Sequence, residues 1–125
     1  MIVLDTDILI EIFDKHSLKG NQAMEFLEQS NEDIGITALT VHETLFGHYK
    51  QKNKIMELQE ISTIEFTKED AKLSAKLEYD AEKTGKIIPR IDCMIAAMVI
   101  TRNAKLFTFN TRHFQRIKQL ELVGL

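Results

Sequence analysis

Apolar residues fall into short blocks along this chain, separated by polar stretches. "MIVLD" (1–5) is an unbroken apolar run that stops at a charge, the pattern of a strand buried on both faces. "ILIEIF" (8–13) predicts a short helix. In "NQAMEFLEQS" (21–30), Ala23, Met24 and Leu27 recur at helical spacing. "IGITA" (34–38) predicts a second strand, residues 41–60 a long helix, and the β-branched "ISTIEF" (61–66) an extended segment. Residues 68–84 predict a helix stopped by Gly85 as its C-cap. "IDCMIAAMVITRN" (91–103) predicts a buried helix, "KLFTF" (105–109) a strand, "TRHFQRI" (111–117) a short helix and "LELV" (120–123) an edge strand. Strand and helix alternate throughout, the signature of an α/β protein whose parallel sheet is covered on both faces. No repeat, low-complexity tract or Pro/Gly-rich linker divides the 125 residues, so one domain, 1–125, is expected.

Open parallel sheets bind ligands at the carboxyl ends of their strands. Asp5 ends the first strand. Glu43 follows the second strand in the first turn of the expected helix, Asp92 stands where a helix begins after Pro89, and Asn110 follows "KLFTF". Capping accounts for most of these singly. Thr40-x-x-Glu43 has the spacing of a capping box. Asp7 and Asn110 are good N-caps, and Asp92 suits a positive helix N-terminus. Asp5 is harder to explain in that way, because a carboxylate ending an apolar strand needs a cation or close donors to offset desolvation.

Composition narrows the setting. Cys93 is the one cysteine, which excludes an internal disulfide and fits a reducing compartment; amid apolar residues it reads as core. The first apolar run has no basic residues before it and is broken by Asp5, unlike a signal peptide, and "MIAAMVI" is too short to span a bilayer. A cytoplasmic protein is expected. Net charge is −3 but unevenly spread: residues 1–63 carry 11 acids and 5 bases, residues 64–125 carry 8 and 11. From Lys86 to Lys118, seven bases face only Asp92, and all four arginines (Arg90, Arg102, Arg112, Arg116) lie there. Such a window can attract phosphates or be a solvated surface that balances the acidic half; charge alone leaves both open.

Three acids meeting at one sheet edge would repel unless a divalent ion neutralised them, and hard oxygen ligands favour Mg²⁺ or Mn²⁺. A carboxylate-held ion at that place suits phosphodiester hydrolysis, with the basic window guiding the substrate backbone. The histidines lack zinc-ligand spacing, and no Gly-rich phosphate loop is present. A phospho-acceptor receiver domain fits poorly, since "IGITA" and "ISTIEF" do not end in Asp and Lys105 precedes its strand.

The ordered motifs "LDTD", "ITALTVHETLFG", "DCMIAAMVI" and "LFTFNTRHF" resemble the PIN domain, specifically the VapC-type toxins of prokaryotic toxin–antitoxin pairs. The resemblance spans nearly the whole chain. It implies a three-layer α/β/α sandwich and a magnesium-dependent endoribonuclease that forms a homodimer and is blocked by a small cognate antitoxin. By motif, Asp5, Glu43 and Asp92 fall on the metal-site acids, Thr6 on the hydroxyl position beside the first acid, and Thr108 on the hydroxyl position of the last motif. Family members commonly carry a fourth acid where this chain has Asn110 or His113. Asn110 adds an amide but no charge, while Asp7 is the unassigned carboxylate nearest in sequence and is expected behind the ligands or at the helix cap. Arg90, Arg102, Arg112 and Arg116 are the candidate RNA contacts. The alternative is a degenerate PIN-like module that binds RNA or a protein partner without turnover.

Overall fold

The computed structural model describes residues 1–51 and 58–124. Among them, five strands form one wholly parallel sheet: β1 (Ile2–Leu4), β2 (Ile34–Thr37), β3 (Ser62–Ile64), β4 (Lys105–Phe107) and β5 (Glu121–Leu122), in the order β3-β2-β1-β4-β5. Six α-helices connect them: α1 (Thr6–Leu9), α2 (Leu18–Ser30), α3 (Ala38–Gln51), α4 (Lys68–Lys83), α5 (Arg90–Ile100) and α6 (Thr111–Phe114). The long helix expected over 41–60 starts earlier, at Ala38, and its stretch 52–57 lies outside the described residues; Leu58–Glu60 form a 3₁₀ turn.

Alternation along the strands explains why they read as continuous apolar runs. Ile2 and Leu4 point into one cluster with Ile8, Leu9, Ile12, Ala23, Leu27, Ile36 and Phe107. Val3 and Leu106 point into the other, with Cys93, Ile95, Met98, Val99 and Phe114. Each face of the sheet therefore has its own core and its own helices, giving the three-layer α/β/α sandwich. The Cys93 thiol is fully buried, and burial pushes its pKa up to about 11, as suits a core residue rather than a nucleophile.

Local signals set the helix ends. Ser17 caps α2 by accepting the Gly20 amide at 3.0 Å. Thr67 and Asp70 form a reciprocal capping box at the start of α4. Gly85, at φ +74, follows α4 in the left-handed conformation that glycine adopts without steric cost. Between α1 and α2 the chain widens into a π-helical turn, Ile10–Asp14, where the Lys15 amide donates to the Ile10 carbonyl at 2.9 Å.

Candidate metal and active site

Strand order determines where a site can form. The chain leaves β1 for β2 on one side, while β4 packs on the other, so a crevice opens beyond the carboxyl ends of β1 and β4. Leu4 pairs with Phe107, and the Asp5 amide continues the ladder by donating to the Phe107 carbonyl at 2.9 Å. Asp5 and Thr108 are thus neighbours at that crevice, and the Thr108 hydroxyl donates to Asp5 Oδ2 at 2.8 Å. The other Asp5 oxygen, Oδ1, accepts the Thr6 amide at 2.9 Å and caps α1.

That cap corrects the sequence-based assignment of Asp7 as N-cap. Asp7 turns across the crevice instead: its Oδ2 accepts the Phe109 amide at 3.1 Å, the Asn110 amide at 3.0 Å and the Thr108 hydroxyl at 3.4 Å. It binds the loop after β4 to the loop after β1. The capping box expected from Thr40 and Glu43 does not form either. Thr37 accepts the Thr40 amide at 3.0 Å, so α3 begins three residues early and Glu43 lies in its second turn. There Glu43 Oε1 accepts the Thr6 hydroxyl at 3.2 Å. Asn110 sits at the cap position of α6 but makes no side-chain cap bond. Asp92 lies in the first turn of α5, and its Oδ2 is 3.0 Å from His113 Nδ1 on α6.

Four carboxylates from three segments, Asp5 and Asp7 around the start of α1, Glu43 on α3 and Asp92 on α5, therefore share one edge of the sheet, and neighbouring charges disfavour the ionised forms of Asp5 and Glu43. Burial pushes Asp5 up from 3.8 to about 6; the Asp7 and Glu43 charges add to this, against hydrogen bonds from Thr108 and Thr6. Asp7 is raised by burial, which outweighs the loop amides that favour its charged form. Burial also raises Glu43, opposed by the Thr6 hydroxyl and reinforced by the charges of Asp92 and Asp7. Among the described residues no three acid, histidine or cysteine side chains close around one point; hydroxyls and amides hold the carboxylates individually. The chemistry of the set still fits a divalent cation, because every donor is a hard oxygen, the charges of Asp5, Asp7 and Glu43 disfavour one another, and among the described residues the buried Asp7 Oδ1 has no hydrogen-bond partner.

The arginines do not act as one group. Arg102 follows α5 at its far end, about 15 Å from Asp92 by helical rise. Its guanidinium donates to Asp70 Oδ1 and Oδ2 (3.1 and 3.2 Å), the Met98 carbonyl (2.7 Å) and the Glu65 carbonyl (2.9 Å). Asp70 is fully buried, so Arg102 is committed to neutralising it and is withdrawn as a phosphate contact. Arg90 forms a two-pronged bond with Glu78 on α4, and Lys105 pairs with Glu32 at 3.1 Å. The basic window of the sequence is therefore partly neutralised by acids from outside it. Arg112 and Arg116 are exposed and form no ion pair among the described residues, and Arg112 adjoins His113. His113 is the residue that sequence reasoning passed over; its one signal was its place where relatives carry an acid.

A model of the PIN domain matches residues 2–120. Ribonuclease VapC2 of Rickettsia felis is 30% identical, aligned over 96% of this chain and 94% of that protein. Ribonuclease VapC1 of Methanocaldococcus jannaschii is 28% identical over 97% of this chain and 84% of that protein. Among solved structures, VapBC2 from Rickettsia felis, bound to a DNA fragment from its promoter, superposes with a TM-score of 0.80 at 26% identity and covers 100% of this chain and 99% of that one. The chain belongs to the PIN-domain family and, within it, to the VapC proteins.

Proposed function

We propose that this protein is a divalent-cation-dependent endoribonuclease, the toxin of a toxin–antitoxin pair, with Asp5, Glu43 and Asp92 holding Mg²⁺ or Mn²⁺. The observation that carries the reading is the strand-end carboxylate Asp5, raised to about 6 by burial and by the charges of Asp7 and Glu43. Partly buried, mutually repelling carboxylates in a crevice mark a functional site. The ribonuclease names of its relatives and the VapBC complexes among its structural neighbours support the substrate class and the antitoxin partner. A homodimer and a cytoplasmic location belong to the same proposal. Among the described residues no helix is long and apolar enough to cross a membrane.

A divalent cation held by Asp5, Glu43 and Asp92 would supply polarisation of a phosphoryl oxygen and a lowered pKa for an attacking water. The chain's own part is positioning. Thr108 fixes the Asp5 carboxylate through Oδ2, and Thr6 steadies Glu43 through Oε1. The Asn110 side chain, exposed and free of capping, can orient the phosphate or a water. Arg112 and Arg116 supply exposed positive charge beside the crevice for flanking phosphates; Arg90 can do so only by giving up Glu78.

Total RNA treated with the purified, partner-free protein in EDTA, Mg²⁺ or Mn²⁺ tests this reading, with Asp92→Asn as control. Discrete products that require metal and vanish in the variant are expected. No cleavage by either protein, at any metal concentration, would leave the degenerate binding module in its place.

His113 gives a second expectation. Removing its ring in His113→Ala leaves Asp92 Oδ2 without its neighbour at 3.0 Å. Partners that orient a metal-binding carboxylate are typically worth about 10–100-fold in affinity. Mn²⁺ titration of the variant should therefore show affinity weaker by about tenfold or more, whereas unchanged affinity would reduce His113 to a packing residue.

A further inference from the structure

Asp7 is an expensive choice for what it visibly does. Its Oδ2 clamps the β4 loop through the amides of Phe109 and Asn110 and the hydroxyl of Thr108. A neutral acceptor, such as the amide oxygen of asparagine, can accept the same bonds. The negative charge strengthens those bonds, but burial outweighs them and leaves the charged form disfavoured. Asp7 shares the Thr108 hydroxyl with Asp5, adds to the charge that disfavours Asp5 and Glu43, and is itself disfavoured by burial. It is not the cap of α1, a role taken by Asp5. Among the described residues its second oxygen, Oδ1, is buried with no hydrogen-bond partner, which for a carboxylate oxygen is unfavourable unless something positive meets it.

Resting on the metal-dependent reading above, we propose that Asp7 is a metal-binding carboxylate and not only a loop clamp: Oδ2 fixes the side chain, and Oδ1 is kept free for the divalent cation. Asp7 thereby supplies the fourth negative charge that Asn110 and His113 do not. The two oxygens divide the labour. Amides of the β4 loop orient the carboxylate through Oδ2, so the free oxygen meets the cation already positioned, with little rotamer entropy left to lose.

Asp7→Asn tests this, because an asparagine oxygen can still accept the Phe109 and Asn110 amides while the charge is gone. Mn²⁺ binding, followed by electron paramagnetic resonance or calorimetry without RNA, should weaken at least tenfold. The melting temperature in EDTA should stay level or rise. A clamp alone predicts the reverse pattern, with a lower melting temperature and unchanged Mn²⁺ affinity, and that result overturns the inference. Should the variant fail to fold, a Mg²⁺ titration of the wild-type protein serves instead. The Phe109 and Asn110 amide signals should then shift with the same midpoint as the Asp92 amide; signals that stay still overturn the inference. Asp92→Asn run alongside separates the two levels. If the wild type binds no Mn²⁺, the metal-dependent reading has failed; if Asp92→Asn loses the ion and Asp7→Asn keeps it, only the role of Asp7 has failed.

Discussion

Asp5→Asn should abolish RNA cleavage and, in EDTA at pH 8, make the protein more stable than the wild type. The two effects have one cause. The native fold raises Asp5 from 3.8 to about 6, so it disfavours the ionised carboxylate. The stability linked to this group is fully present below about pH 4 and is lost as pH rises through about 6. A shift of that size corresponds to on the order of 3 kcal/mol above pH 7. Asparagine keeps an oxygen for the Thr6 amide and can donate to Thr108, so the gain in EDTA should reach about 2 kcal/mol at pH 8 and disappear near pH 4. Cleavage should fall by at least about 10²-fold, since losing a metal-positioning carboxylate forfeits several kcal/mol of transition-state stabilisation. Urea unfolding at both pH values, beside a cleavage assay in Mn²⁺, reads both effects. Equal stabilities at pH 8 would mean that Asp5 is not strained, and retained cleavage would remove it from the site.

Gly20→Ala should be among the most damaging single-methyl changes in the chain. Helix propensity alone points the other way, since alanine is favoured over glycine by about 0.5–1 kcal/mol inside a helix. Gly20 lies in the first turn of α2, where that helix crosses the π-helical turn. A Cβ there would stand 2.1 Å from the Glu11 carbonyl oxygen, 2.5 Å from the Glu11 carbonyl carbon and 2.9 Å from the Ile12 nitrogen. All three are backbone atoms, so no rotamer change relieves the clash and α2 must move away from the turn. Ile12, Ala23 and Leu27 pack in the core at that junction and would move with it. Overpacking of this kind costs about 3 kcal/mol or more, a large share of the stability of a small domain. At the usual conversion, the melting temperature should fall by roughly 10 °C. A variant that melts within about two degrees of the wild type would show that the crossing is looser than these distances imply.

The two residues were legible to different degrees. Asp5 announces itself, because an apolar run that stops at a carboxylate is visible without any partner. Gly20 reads only as a glycine before a helical pattern, and the helix was accordingly expected to begin at Asn21 rather than Leu18. The arginines show the same limit. Arg102 looks like part of a phosphate-binding window until Asp70, 32 residues earlier, takes its guanidinium. Asp7 looks like a cap for its own helix until loop amides over 100 residues away take its Oδ2.

By itself, the sequence determined the alternation of strands and helices, the burial of both sheet faces, and the candidacy of Asp5, Glu43 and Asp92, acids that end a strand or lie near the start of a helix. These follow from periodicity and desolvation, which act along the chain and need no knowledge of what lies across from a residue. The tertiary structure decided the partners: Thr37 rather than Thr40 starts α3, which leaves Glu43 for Thr6; Asp5 rather than Asp7 caps α1; and His113 meets Asp92. Hydrogen bonds and ion pairs are short-ranged and directional, so which of several suitable groups forms one depends on ångström-scale placement, and that placement exists only once the sheet has set β1 beside β4.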